Sequence, residues 1–178
     1  MNKLKFIKQI NNIKFFTYRP SVLHLYYPCY FDNDRPPYFS RFIHRIRMIR
    51  ELYKSHYKII YMMVDDVIVG HLVVGYGGCR IKMSTKNDIV IGPIWIIPNQ
   101  RCQGYASKGI YFILNELNIE YEYAYEYIDK NNLSSIQTVK KNGFEFFAEC
   151  SEYGLFREIR PKKSGKFNVY RKKCDSIK

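Results

Sequence analysis

The sequence holds one tryptophan, four histidines and five cysteines in 178 residues, and no two cysteines form a CxxC pair. Cys29, Cys79, Cys102, Cys150 and Cys174 are odd in number and widely spaced, which argues against a disulfide framework or a zinc knuckle. His24, His44, His56 and His71 share no metal-ligand spacing with the cysteines or carboxylates, so no metal is expected. A run of eighteen apolar residues is also lacking, and with it any spanning helix. The basic start MNKLKFIKQINNIKFF has no apolar stretch long enough for a signal peptide. Together these absences point to a soluble, unprocessed protein of a reducing cytoplasm. Acidic residues are scarce as well: 16 Asp and Glu stand against 29 Lys and Arg, a net charge of +13. That excess attracts any polyanion, whether nucleic acid, an anionic membrane surface or a phosphate-rich cofactor, and does not choose among them.

What is present is a core. With 47% hydrophobic and 17% aromatic residues, the chain is sized for one domain over residues 1–178. Residues 3–18 alternate loosely and predict a strand or a pair of short strands. Pro36 and Pro37 interrupt a polar stretch and can open a helix. In that helix Phe39, Phe42, Ile43, Ile46, Ile49 and Tyr53 recur on one face, and Arg41, Arg45, Arg50 and Lys54 occupy the others as a solvated basic side. A hairpin follows over 59–75, turning at Asp65 and Asp66. After a Gly-rich loop comes a strong strand, DIVIGPIWII, which Gly92-Pro93 should distort in its middle. An amphipathic helix then carries Ala106, Ile110, Ile113, Leu114 and Leu117 on one face. Tyrosine and glutamate alternate over 121–128 as a strand. A compact helix begins at Asn131 or Asn132 and stops at Gly143. FEFFAEC and FNVYRKK close the chain as two strands separated by a basic loop, REIRPKKSGK. The order is that of an α/β (α+β) fold with a mixed sheet.

The segment from Ile89 to Leu117 carries the most chemistry. A strand feeding a short glycine-containing loop and then a helix presents free backbone N–H groups, with a partial positive charge, to one point, and this geometry binds phosphate. Gly104 lets the main chain approach an anion, Ala106 keeps the first turn slim, and Arg101 and Gln103 add donors. The plain alternative is an ordinary strand-to-helix turn.

Two motifs decide between them. Arg101-Cys102-Gln103-Gly104-Tyr105-Ala106 resembles the (Q/R)xxGx(G/A) signature of the GNAT (Gcn5-related) N-acetyltransferases, and it stands after a strand and before a helix as that family requires. About thirty residues on, Asn132, Ser135, Lys140 or Lys141, Gly143 and Phe144 resemble the family's second signature, NxxSxxxxxKxGF. The resemblance covers roughly residues 59–150.

It implies a mixed, mostly antiparallel central sheet flanked by helices, with a splayed central strand forming the acyl-CoA cleft. Acetyl-CoA would be co-substrate: its pyrophosphate on the amides of Gln103, Gly104, Tyr105 and Ala106, near Arg101 and Cys102, and its pantetheine arm along Trp95, Ile96 and Ile97. Asn132 and Ser135 would line the thiol end. Many family members place a tyrosine four residues before the glycine of the second signature to protonate the leaving thiolate; here that position is Val139. Tyr125, Tyr127 or Ser135 is left as a donor, or the thiolate leaves unaided. For the general base Glu126 comes first, with a solvent-facing partner of nearby lysines as its plain alternative, and His71 comes second, with a buried structural histidine as its own.

The implied activity is acetyl transfer to a primary amine by direct attack in a ternary complex. The expected acceptor is a small molecule such as an amino sugar or amino-sugar nucleotide, or else a peptide N-terminus. The aromatic stretch HLYYPCYFDNDRPPYF would shape its cleft. A homodimer is left open and no membrane partner is expected. Two alternatives stand beside this: a basic nucleic-acid or ribosome-associated module, built on residues 41–54, 157–166 and 171–173, and a CoA-binding GNAT fold without catalysis.

Overall fold

The computed structural model describes residues 4–25 and 38–174, with side chains from residue 42 onward in the second segment. The prolines expected to open the first helix, and most of the aromatic stretch expected around the acceptor, lie outside the described residues. Among the described residues nine strands form one sheet: β1 (Lys5–Ile10), β2 (Ile13–Tyr18), β3 (Lys58–Val64), β4 (Val67–Tyr76), β5 (Ile89–Ile96), β6 (Tyr123–Asp129), β7 (Glu145–Tyr153), β8 (Glu158–Pro161) and β9 (Phe167–Lys173). Their order across the sheet is β1-β2-β3-β4-β5-β6-β9-β7-β8. Every pairing is antiparallel except β5 with β6. This is the mixed, mostly antiparallel sheet expected from the sequence.

The α-helices among the described residues cover the two faces: α1 (Tyr38–Ser55), α2 (Tyr105–Asn115) and α3 (Leu133–Lys141). Because side chains alternate along a strand, each strand feeds two cores. Ile60, Met62, Leu72, Val74, Ile89 and Ile91 pack with Ile110, Phe112 and Ile113 of α2 and Val139 of α3. Ile59, Tyr61 and Val73 pack with Met48 of α1. On the α1 side, further along the sheet, Val90, Tyr125, Cys150, Ile159 and Val169 form a third cluster. Helix α2 lies so close to β4 that a Cβ at Gly109 would stand 2.5 Å from Leu72 Cδ1.

Some expectations change. The buried side of α1 is Met48 with Arg47, while Phe42 and Tyr53 are exposed; the helix meets the sheet along a stripe that hydrophobic spacing alone does not single out. Its basic side is not simply solvated, since Arg50 donates to Glu158 Oε1 at 2.9 Å. The basic loop between the last two expected strands contains β8, which extends the hairpin begun by β7. And the Tyr/Glu-alternating segment is central, with Ala124, Tyr125, Glu126 and Ile128 buried.

Candidate functional site

Strands β5 and β6 are parallel neighbours over only two residue pairs, Ile89 with Ala124 and Val90 with Tyr125. Beyond them the strands part. Strand β4 holds β5 on its other edge, and there Leu72 pairs with Ile94 while Val74 pairs with Ile91. Gly92 and Pro93 therefore stand opposite Val73 alone, a β-bulge that bends β5 away from β6. The distortion expected from Gly92-Pro93 is thus the feature that opens the sheet.

The opening leads into a cleft of about 860 Å³, lined on one side by β5 and the loop into α2, and on the other by β6 and α3. A cleft of this size suits a cofactor-scale ligand. Strand alternation places the N–H and C=O of Ile96 on the cleft edge of β5. Ile97 differs from the expectation of a free strand edge, because its N–H donates to Val69 O at 3.0 Å. Arg101 Nε donates to Ile96 O at 3.1 Å, so this guanidinium braces the loop against the strand.

The loop ends in a left-handed residue. Gly104 has φ +77° and precedes the first turn of α2 without a side-chain cap. Lys108 N–H is the first in the helix to reach an intrahelical carbonyl, that of Gly104, at 3.0 Å. The amides before it are the unsatisfied donors that every helix start carries, and here nothing from the Gly104 side chain competes for them. Cys102, Gln103 and Gly104 are exposed. Cys102 is a free thiol at φ +63°.

Across the cleft, Asn132 caps α3 by accepting from Ser135 N at 3.2 Å. Asn142 Nδ2, just past the end of α3, donates to Ser107 Oγ at 2.9 Å and ties the two helices together. Ser134, Thr138 and Lys141 also line this wall; they lie one helical turn apart, a spacing that marks one face of α3 in the sequence itself. Val139 is buried in the core beneath α3 and adds no proton donor.

Glu126 is 5% exposed and belongs to the cleft wall. Its Oε1 is buried without a hydrogen-bond partner. Burial alone pushes its carboxyl up to about 8. The solvent-facing alternative is therefore excluded. Next to it, Tyr127 points to the opposite face of β6 and still borders the cleft. Burial is also the main force raising its phenol above the usual tyrosine range, opposed by the nearby Arg80 and Arg47. His71 sits on β4, paired with Trp95 and stacked on it at 5.9 Å between ring centres. Burial lowers its imidazole to about 4, so it is neutral, and Trp95 stands between it and the cleft edge of β5. Tyr125 faces the third core cluster.

The closed end of the opening has a clasp that the sequence did not announce. Asp88 is 2% exposed; its Oδ2 accepts from Thr85 N at 2.7 Å and Thr85 Oγ1 at 2.9 Å, and its Oδ1 accepts from Tyr123 N at 3.0 Å. An aspartate in a loop reads as a turn residue; that it spans to a strand 35 residues away is a tertiary fact.

The model of the acetyltransferase (GNAT) family matches residues 19–144. No curated protein matches the chain. Among solved structures, the ribosomal L7/L12 alpha-N-protein acetyltransferase RimL, in an apo crystal form, superposes with a TM-score of 0.61 at 13% identity, covering 96% of this chain and 94% of that one. An N-acetyltransferase from Staphylococcus aureus Mu50 gives 0.55 at 17% identity, with 79% and 80% covered. A ribosomal-protein-alanine N-acetyltransferase from Brucella melitensis gives 0.52 at 14% identity, with 73% and 76% covered. At these identities the likeness is one of fold.

Proposed function

The chain belongs to the GNAT acetyltransferase family, and on that premise we propose that it transfers an acetyl group from acetyl-CoA to a primary amine by direct attack in a ternary complex. The observation that carries this reading is the parting of β5 and β6 beyond Val90 and Tyr125, beside an uncapped helix start at Gly104. The strand edge and the helix start offer, along one cleft, what a pantetheine arm and a pyrophosphate each need: in-line amide pairing and convergent N–H donors. Residues 1–178 act as one unit, in a reducing cytoplasm where Cys79, Cys102 and Cys150 stay free.

In this mechanism the backbone of β5 at the bulge polarises the thioester carbonyl, a role worth on the order of 3 kcal/mol. Glu126 is the base. A carboxyl near 8 holds a useful fraction of carboxylate at neutral pH and takes the amine proton with little mismatch. The amine nitrogen bonds to the carbonyl carbon, the C–S bond breaks, and the electron pair leaves on sulfur. Tyr127, protonated and at the cleft wall, is the donor in reach of that side, and thiolate is in any case a tolerable leaving group. His71, neutral behind Trp95, supports the strand and takes no proton.

The acceptor is an amino sugar, an amino-sugar nucleotide or another small amine, with a peptide N-terminus as the second class. The basic stretches do not favour a nucleic-acid module: Arg50, Lys82 and Arg160 converge on Glu158, and Arg157 pairs with Glu152. Free thiol release from acetyl-CoA, followed across a panel of amines, tests the proposal. Transfer to at least one amine class is expected. Binding of acetyl-CoA with no amine-dependent thiol release would leave a CoA-binding protein without catalysis.

A further inference from the structure

On the α1 side of the sheet, Tyr127 leads from the cleft wall into a cluster of charges. The Arg80 guanidinium lies 4.9 Å from the centre of the Tyr127 ring. Arg80 donates to Glu51 at 3.3 Å and to Glu152 at 3.2 Å. Arg47, 8% exposed, approaches Glu51 only to 3.7 Å and donates instead to His44 Nδ1 at 2.8 Å. Arg157 takes the other side of Glu152, with its Nε at 2.8 Å. Among the described residues, three guanidiniums thus share two carboxylates.

The remainder shows in two places. Both Arg47 Nε and Arg80 Nε are buried without a hydrogen-bond acceptor among the described residues. His44, between them in charge terms, is depressed to about 4 by burial and then by Arg47, Arg80 and Arg157. A network that served packing alone would supply an acceptor for each buried donor, since an orphaned charged donor in a dry site is costly. This one keeps surplus positive charge one residue away from the cleft.

We infer that Arg47 and Arg80 form a subsite for an anionic group, phosphate or carboxylate, on the amine acceptor, which reaches them past Tyr127 while its amine lies in the cleft. The inference rests on the acetyltransferase reading and narrows its substrate class to acceptors that carry a negative charge. It differs from the cofactor's phosphate site, which lies across the sheet at the start of α2. A guanidinium paired to such an oxygen makes a charge-assisted, often bidentate bond, and each bond of this kind corresponds to about ten- to hundredfold in binding.

The test compares acceptors matched except for charge at saturating acetyl-CoA: glucosamine 6-phosphate against glucosamine for the phosphate arm, and Ala-Glu against Ala-Gln for the carboxylate arm. The anionic member of at least one pair is expected to have a KM lower by about tenfold or more, and the arm that shows it identifies the group. In Arg80→Gln that preference collapses to within about twofold, through KM rather than kcat. In Glu51→Gln, which removes the competing carboxylate, it widens. Equal turnover of both members in both pairs, or an equal loss for both members in Arg80→Gln, overturns the subsite. If no amine is acetylated, the acetyltransferase reading fails by itself. Thermal shift with inorganic phosphate in saturating coenzyme A then decides the subsite: stabilisation of the wild type that is lost in Arg80→Gln supports it, and stabilisation equal in both proteins overturns it.

Discussion

Asp88 Oδ1 accepts the Tyr123 amide at 3.0 Å, joining the residue before β5 to the first residue of β6 at the point from which the two strands diverge. The opening is therefore hinged on a buried side chain and not on the two-residue ladder alone. Asp88→Ala would empty a buried side-chain site and leave three donors without their acceptor, Thr85 N, Thr85 Oγ1 and Tyr123 N, a cost of about 2–4 kcal/mol. For a chain of this size that lowers Tm by roughly 5–15 °C, and acetyl-CoA affinity measured well below the new Tm should fall with it. An unchanged Tm would show that the clasp is not what holds the strands.

Glu126 sets two opposed pH dependences. Its carboxyl lies near 4.5 when unfolded and is raised to about 8 in the fold, so the folded state holds the proton more tightly. The stability this contributes is complete below about 4.5 and is lost as pH rises to about 8. Activity, which in the proposed mechanism uses the carboxylate, should rise over the same upper range. Glu126→Gln is expected to flatten the fall in stability, to lower kcat by about 10²–10⁴-fold and to remove the rising limb. A variant that keeps both kcat and the limb would take Glu126 out of the mechanism.

Gly109→Ala separates propensity from packing. Alanine favours a helix interior by about 1 kcal/mol over glycine. Here its methyl would meet Leu72 Cδ1 at 2.5 Å and Met62 Sδ at 3.1 Å, and overpacking costs about 1–3 kcal/mol. Chemical denaturation should show net destabilisation; a more stable variant would mean that Leu72 yields freely.

Asn132→Ala removes the cap of α3, where Asn132 Oδ1 accepts from Ser135 N and from Ser134 Oγ, both at 3.2 Å. A loss of about 1 kcal/mol is expected, together with a raised KM for acetyl-CoA, since these residues line the cleft. A stability loss without any change in that KM would limit Asn132 to capping.

Much of this site was legible because its parts are local. The loop from Arg101 to Ala106 and the Asn132 cap are contiguous in sequence, and Gly92-Pro93 marks its own bulge. The two signatures then told which fold places them face to face. What could not be read depends on where distant segments meet. For Glu126 the sequence left a candidate base and a solvent-facing partner of lysines both open, and only its central place in the sheet buries it. Arg47 did not figure in the helix face inferred from apolar spacing, yet it is more buried than Phe42 or Tyr53, because it lies beside Met48 on the side of α1 that is turned to the sheet. Asp88 and Arg80 belong to a loop whose Gly-rich composition gives no sign of the residues it will reach.

On the proposed reading, the cleft between β5 and β6 takes acetyl-CoA with its phosphates on the start of α2. The most direct measurement is the Tm of the protein with millimolar acetyl-CoA, beside that of Gly104→Glu, whose carboxylate would occupy the place of a phosphate. At a hundred times Kd a bound ligand adds about 2.7 kcal/mol, or roughly 5–10 °C here. That shift is expected in the wild type and none in the variant. An unshifted wild type, or a variant stabilised as much as the wild type, would contradict it.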